Sequence, residues 1–245
     1  MTLTISLAVI IASGATAFMS SIFGMVGGLI LMGLLASLLP IAQALVLHGI
    51  IQLTSNGYRA YLNRKDIAWP IFIQFAMGGA ASMLCLSFLS YSPDRATVYV
   101  LLGLLPFIGL SVPQRFAPDI TRPFMALLAG FAVIATNLLA GVGGPILDVF
   151  FQRVPLTRHQ VVAGKALAQA LGHSSKIIFY GHLFNLEPVS PYFILVCLLA
   201  SIVGTTLGKR VLDRMADQNF FLWTRRIMLA VGAVFIVRGL TLILS

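Results

Sequence analysis

The sequence predicts an all-α membrane protein, an inverted repeat of two five-segment halves. Each half holds a glycine-broken helical hairpin plus three transmembrane helices. Three observations carry this reading. The chain is 59% hydrophobic and only 9% charged, with a mean hydropathy of +0.98. A soluble domain carries about 25% charged residues, so this chain has too little polar surface for water. Second, Gly24-Met25-Val26-Gly27-Gly28 recurs as Gly141-Val142-Gly143-Gly144-Pro145, about 116 positions later. Third, the basic residues gather in alternate loops between apolar runs.

The elements follow in order. Apolar segments are expected at 3–23, 27–39, 41–63, 67–89 and 95–112, and again at 122–140, 145–153, 157–180, 189–210 and 224–245. The first repeat is 1–112, the connecting loop 113–120 and the second repeat 121–245. Segments of about twenty residues cross a ~30 Å hydrocarbon core. Segments 27–39 and 145–153 are too short, at about 1.5 Å per residue. Each glycine motif therefore joins a long arm to a short one. A glycine break inside lipid is tolerated only where protein or a cavity encloses it. The expected form is a hairpin that enters the membrane, turns at the glycines and leaves by the same side. The apolar start from Leu3 has no preceding basic residue, so it reads as mature structure and not as a signal peptide.

Loop charge orients the chain. With two hairpins, Arg64-Lys65, Arg115/Arg122, Arg153/Arg158 and Lys209-Arg210/Arg214/Arg225-Arg226 share one side. The other side keeps Arg95, with His182 and Glu187. The positive side is cytoplasmic, which puts both termini outside. The net charge of +9 lies in these loops, so no nucleic-acid partner is implied. Cys85 and Cys197 sit in apolar segments and read as small buried hydrophobes. Four histidines without Cys/His spacing imply no metal, and no cofactor is called for.

The duplication extends beyond the glycines. One residue further in register, His48 aligns with Lys165, Gln52 with Gln169, Asn56 with His173 and Arg59 with Lys176. Spacings of four, four and three put each set on one helix face. Each residue alone reads as interhelical hydrogen bonding. The same stripe twice, beside two helix breaks, points to a substrate path. Arg59 and Lys176, near the expected helix ends, read equally as snorkelling cations. Lys165, well inside its helix, needs a partner, and Asp148 on the short arm is the candidate. That pair is either structural, or Lys165 supports an anion while Asp148 tunes it or carries a proton.

Gly27-Gly28 and Gly143-Gly144 open helix N-termini, and Pro145 suits a first helical turn. Such ends present N–H donors and partial positive charge to an anion. Ser20-Ser21 and Thr136-Asn137 precede the breaks and add donors. The candidate anion-binding residues are thus Gly27, Gly28, Gly143, Gly144, Gln52, Gln169, Lys165, His173, Asn56 and Asn137, with Asp148 as charge partner. Matched breaks in the two halves mark a transporter site. An enzyme would need a nucleophile and base, for which Ser174-Ser175 beside His173 is the sole candidate.

The duplicated motif, the run Leu156-Thr157-Arg158-His159-Gln160-Val161-Val162-Ala163-Gly164-Lys165-Ala166-Leu167 and the continuation Gln169…His173…Lys176 resemble the sulfite exporter TauE/SafE family. The first copy has Leu29 where the second has Pro145. The resemblance implies a bacterial inner-membrane protein that moves a small inorganic or organosulfur anion such as sulfite. The expected function is secondary transport, with export favoured because an anion leaving a negative-inside cell gains about 2.3 kcal/mol per 100 mV. An anion channel on the same scaffold and a proton-coupled importer are the alternatives.

Overall fold

The structure, a computed structural model, describes residues 2–23, 25–88, 93–152, 154–183, 189–212, 214 and 217–244. Gly24, Arg153 and Glu187 lie outside the described residues, as do the side chains of Arg158 and His182. The described residues are helical with short connections: α1 (Leu3–Phe23), α2 (Val26–Leu38), α3 (Ile41–Leu62), α4 (Trp69–Ser87), α5 (Arg95–Ser111), α6 (Met125–Ala140), α7 (Gly144–Phe150), α8 (Arg158–Leu183), α9 (Pro191–Leu212) and α10 (Asp217–Leu244). Single 3-10 turns occupy Arg64–Asp66 and Gln114–Phe116.

Local chemistry sets the breaks. α6 ends where Gly141 takes φ +80° and gives its amide to the Asn137 carbonyl 3.0 Å away. Glycine is the residue that adopts this left-handed cap without strain. Pro145 then opens α7 in its first turn, where a missing N–H costs nothing. Both short arms turn back on their long arms. Gly143 lies against the Val133 carbonyl, and Gly27 against the Thr16 carbonyl and Ser20 backbone. With 13 and 7 residues, α2 and α7 are too short to span a bilayer. At the start of α5, Asp94 accepts hydrogen bonds from the Thr97 amide and hydroxyl, both at 2.8 Å.

Polarity is distributed inside out relative to a soluble protein. α1, α4, α9 and most of α10 are long and apolar enough to cross a membrane. They expose rows such as Ile73 and Met77 on α4, or Leu195, Leu199 and Val203 on α9. That spacing paints one face of each helix for lipid. His48, Gln52, Asn56, Asn137, His173 and Lys176 are all buried. They sit on or against α3 and α8, which pack together at the centre.

The crossing directions come from close contacts. On α3 and α8, His48 meets Lys176, while the turn Arg64–Asp66 just past α3 packs on α8, and Ile67 and Ala68 line one cavity with Gln160 and Gly164 near the start of α8. These two helices therefore run antiparallel. α5 and α10 also do: Gly103 faces Gly232, and Gly239 faces Ala96 and Val100. α1 and α9 run parallel, with Gly14 on Ala200 and Gly208 on Phe18. α4 and α6 meet through Gly78 and Gly130, each pressed on the other helix's backbone. Small residues allow such approach where no hydrophobic effect drives association. Exchanging α1–α5 for α6–α10 maps these partners onto one another: α1–α9 becomes α6–α4, and α3–α8 and α5–α10 map to themselves.

Two expectations need correction. Cys85 is exposed and not buried, because it falls on the outward face of α4; Cys197 is buried, and neither is in a disulfide. Lys176 is not a snorkelling cation. α8 continues to Leu183, so Lys176 lies two turns inside it and is wholly buried.

Candidate functional site

α3 and α8 cross beside both glycine breaks, and one cavity opens there. Its lining includes Ser20, Met25 and Gly28 from the first hairpin, and Asn137, Gly143, Gly144 and Pro145 from the second. α3 adds His48 and Gln52, and α8 adds Gln169, Gly172 and His173. The centre of a water-sized sphere can occupy about 30 Å³ of it. One water needs ~10–15 Å³ by that measure. The space thus suits about two waters or a four-atom oxyanion.

Hydrogen bonds define the side-chain roles. His48 Nε2 lies 2.9 Å from the Gly28 carbonyl, so that nitrogen carries the proton. Nδ1 of His48 then accepts from Lys176 Nζ at 2.6 Å. Lys176 Nζ also donates to the Gly141 carbonyl at 2.8 Å. Asn56 Nδ2 donates to the Gln52 backbone carbonyl at 3.0 Å and to Gln52 Oε1 at 3.3 Å. Gln52 is thereby turned so that its Nε2 donor sits beside Gly28. Asn137 Nδ2 donates to the Gly172 carbonyl at 2.5 Å. Its Oδ1, and Nδ1 of His173, are buried with no partner. An unpaired buried polar atom costs about 1–3 kcal/mol. Both residues line the cavity, so these two atoms are available to pair with a molecule bound there.

The remaining sequence candidates fall outside the cavity. Gly27 packs on α1, and Asn56 acts only through Gln52. Ser21 donates to the Thr205 carbonyl at 2.9 Å, and Thr136 bonds the Ala132 carbonyl. Lys165 meets Asp148 at 2.5 Å, but their side chains are 28% and 36% exposed, and neither lines the cavity. Ser174 and Ser175 bond the helix's own carbonyls of Ala170 and Leu171, both at 3.0 Å, and make no nucleophile–base pair with His173.

Lys176 is the residue that sequence reasoning undervalued. The signal was the antiparallel pairing of the stripes. Position 48 meets position 176, not its own counterpart at 165.

The first turns of α2 and α7 bring N–H groups without intrahelical acceptors to the same cavity. Backbone donors, the polar side chains of Gln52, Gln169 and His173 and a four-atom volume fit an anion in chemical terms, with Lys176 behind the wall, hydrogen-bonded to the lining residue His48. No curated protein and no solved structure matches the chain. A family model described as Sulfite exporter TauE/SafE matches residues 9–238 of the 245. The chain therefore belongs to the sulfite exporter TauE/SafE family of multi-pass membrane transporters, which move sulfite or related anions and are not enzymes.

Proposed function

We propose that this protein is a secondary transporter that exports a small oxyanion, with sulfite the reference substrate, across the bacterial cytoplasmic membrane. The carrying observation is the cavity in which both glycine breaks and both polar stripes meet. The anion lies between the first turns of α2 and α7. Gly28, Gly143 and Gly144 offer backbone donors there, and Gln52, Gln169 and His173 supply side chains. Asn137 Oδ1 is an acceptor, which suits a hydrogen-bearing oxyanion such as hydrogen sulfite. About 30 Å³ of room favours a four-atom anion over a longer organosulfonate in this conformation.

The scaffold is an inverted repeat, with halves 1–112 and 121–245. Supporting it, the equivalent helices α3 and α8 cross antiparallel, as do α5 and α10. A two-fold axis in the membrane plane has that consequence. Both termini lie outside, and the Lys165–Asp148 pair flanks the cytoplasmic approach to the site.

Efflux of radiolabelled sulfite from proteoliposomes tests the reading. Wild-type protein gives saturable efflux, and Gly144→Leu, whose side chain would collide with Met25 and push into the cavity that both residues line, gives none while still inserting. Wild-type efflux by well-inserted Gly144→Leu would overturn the site.

A further inference from the structure

Lys176 closes a hydrogen-bond chain between the two breaks. The chain runs from the Gly28 carbonyl through His48 Nε2 and Nδ1 to Lys176 Nζ, and on to the Gly141 carbonyl. His173 stands against His48, ring centroids 5.3 Å apart and planes at 72°. All three side chains are more than nine-tenths buried: His48 0%, Lys176 0% and His173 6% exposed. Among the described residues, no carboxylate is paired with any of the three. Among the elements packed on α8, α6 carries no ionisable side chain and α4 only Cys85. α3 brings His48 and, toward the other end, Tyr58, Arg59 and Tyr61. Asp148 of α7 is taken by Lys165, and Asp66 meets α8 near its opposite end.

A buried ammonium with no carboxylate has two favourable conditions. It is protonated while an anion fills the adjoining cavity, or neutral while the cavity is empty. A protonated, empty site leaves a bare cation away from water, and a neutral, filled site leaves a bare anion. Both are strongly disfavoured inside a membrane protein. A carrier built around this cluster would cross at lowest cost in its two neutral conditions.

We propose that each monovalent anion travels with one proton held on the Lys176–His48–His173 cluster, so that transport is an electroneutral proton–anion symport. This rests on the anion site described above. On anion release, Lys176 passes its proton to Nδ1 of His48 across the 2.6 Å contact. Water entering the emptied cavity, which His48 and His173 both line, takes that proton from His48 and passes it to the unpartnered Nδ1 of His173 or out along the cavity, so that Lys176 and His48 are left neutral. Membrane voltage then adds nothing to export; outward transport requires an outward anion gradient larger than the opposing inward proton gradient, and otherwise the same carrier takes the anion up.

The test uses the full chain in proteoliposomes with chlorate, a four-atom oxyanion of a strong acid, so that any proton moved is carried by the protein. An inside-alkaline gradient of one pH unit should support about tenfold accumulation. An inside-positive valinomycin potential should support none. A uniporter does the reverse, accumulating about 50-fold at ~100 mV. Accumulation driven by voltage and indifferent to pH overturns the symport and leaves anion transport standing. Absence of flux for chlorate and sulfite alike removes the transport reading itself.

Lys176→Arg makes the cation permanent, because a guanidinium does not release its proton. The loaded carrier still reorients but the empty one is trapped. The ratio of anion exchange to net uptake should rise about tenfold or more. An unchanged ratio in folded Lys176→Arg overturns the assignment. Should that variant fail to fold, His48→Gln and His173→Gln are compared by trapped pH dye. A proton-to-anion ratio below one supports the cluster, and an unchanged ratio in both overturns it.

Discussion

Gly27 and Gly28 are neighbours on α2 with opposite expected responses to alanine. A Cβ on Gly28 would sit 2.9 Å from Gln52 Nε2, the far end of a flexible side chain that can swing aside. Alanine is also better than glycine inside a helix by ~1 kcal/mol. Gly28→Ala should therefore fold at least as well as wild type. The methyl group and displaced Gln52 occupy the cavity, whose ≈ 30 Å³ amounts to about two waters. Losing about half that room should cost a bound oxyanion ~1–3 kcal/mol of strain, about 5–150-fold in affinity. A Cβ on Gly27 would instead strike the Thr16 carbonyl and lie 2.8 Å from the Ser20 backbone nitrogen. Backbone cannot swing aside, so α1 and α2 must part, at ~1–3 kcal/mol of stability. The assay is thermal unfolding in detergent with and without sulfite. Gly28→Ala should keep its unliganded midpoint and lose the sulfite-induced rise; Gly27→Ala should drop in unliganded midpoint. Wild-type stabilisation of Gly28→Ala by sulfite would refute the reasoning, as would an unchanged midpoint for Gly27→Ala.

Three further outcomes are expected. In a background lacking Cys85 and Cys197, a membrane-impermeant thiol reagent added outside should label Thr2→Cys and spare Lys65→Cys; the opposite pattern reverses the topology. Lys165→Met should cost about 1 kcal/mol or less, because the pair with Asp148 is part-exposed; a loss of several kcal/mol in chemical unfolding would show an uncompensated buried charge. Asp94→Ala should cost ~1 kcal/mol at neutral pH through loss of the α5 cap. The Thr97 amide and hydroxyl hold the Asp94 carboxyl below the usual aspartate value, so this stabilisation is present above that value and fades as acid protonates the folded form. A difference between variant and wild type that persists undiminished in strong acid would contradict the cap.

Much of this was legible in the chain. Gly141, Gly144 and Pro145 mark the end of one helix and the start of another by their own backbone preferences. The short arms followed from length against bilayer thickness. The stripe His48, Gln52, Asn56 was legible because helical spacing alone puts it on one face. What stayed hidden depended on how helices cross. The run past Tyr180 through Gly181 looked like a helix end, yet α8 continues to Leu183, which carries Lys176 inward. Antiparallel crossing then pairs Lys176 with His48, a contact that offset alignment does not display. Lys165 looked buried because it lies within an apolar run, but its side chain is 28% exposed, which depends on how α8 is packed and not on its local sequence.

The central claim is that a small oxyanion sits between the two glycine breaks. Selenite, the selenium analogue of sulfite, locates it directly by anomalous scattering from crystals of the protein. The account predicts one selenium peak within ~4 Å of the backbone amides of Gly28 and Gly144, charge-assisted hydrogen-bond range for an oxyanion's central atom. Selenite bound with its peak elsewhere, or crystals that show none at saturating selenite, would contradict it.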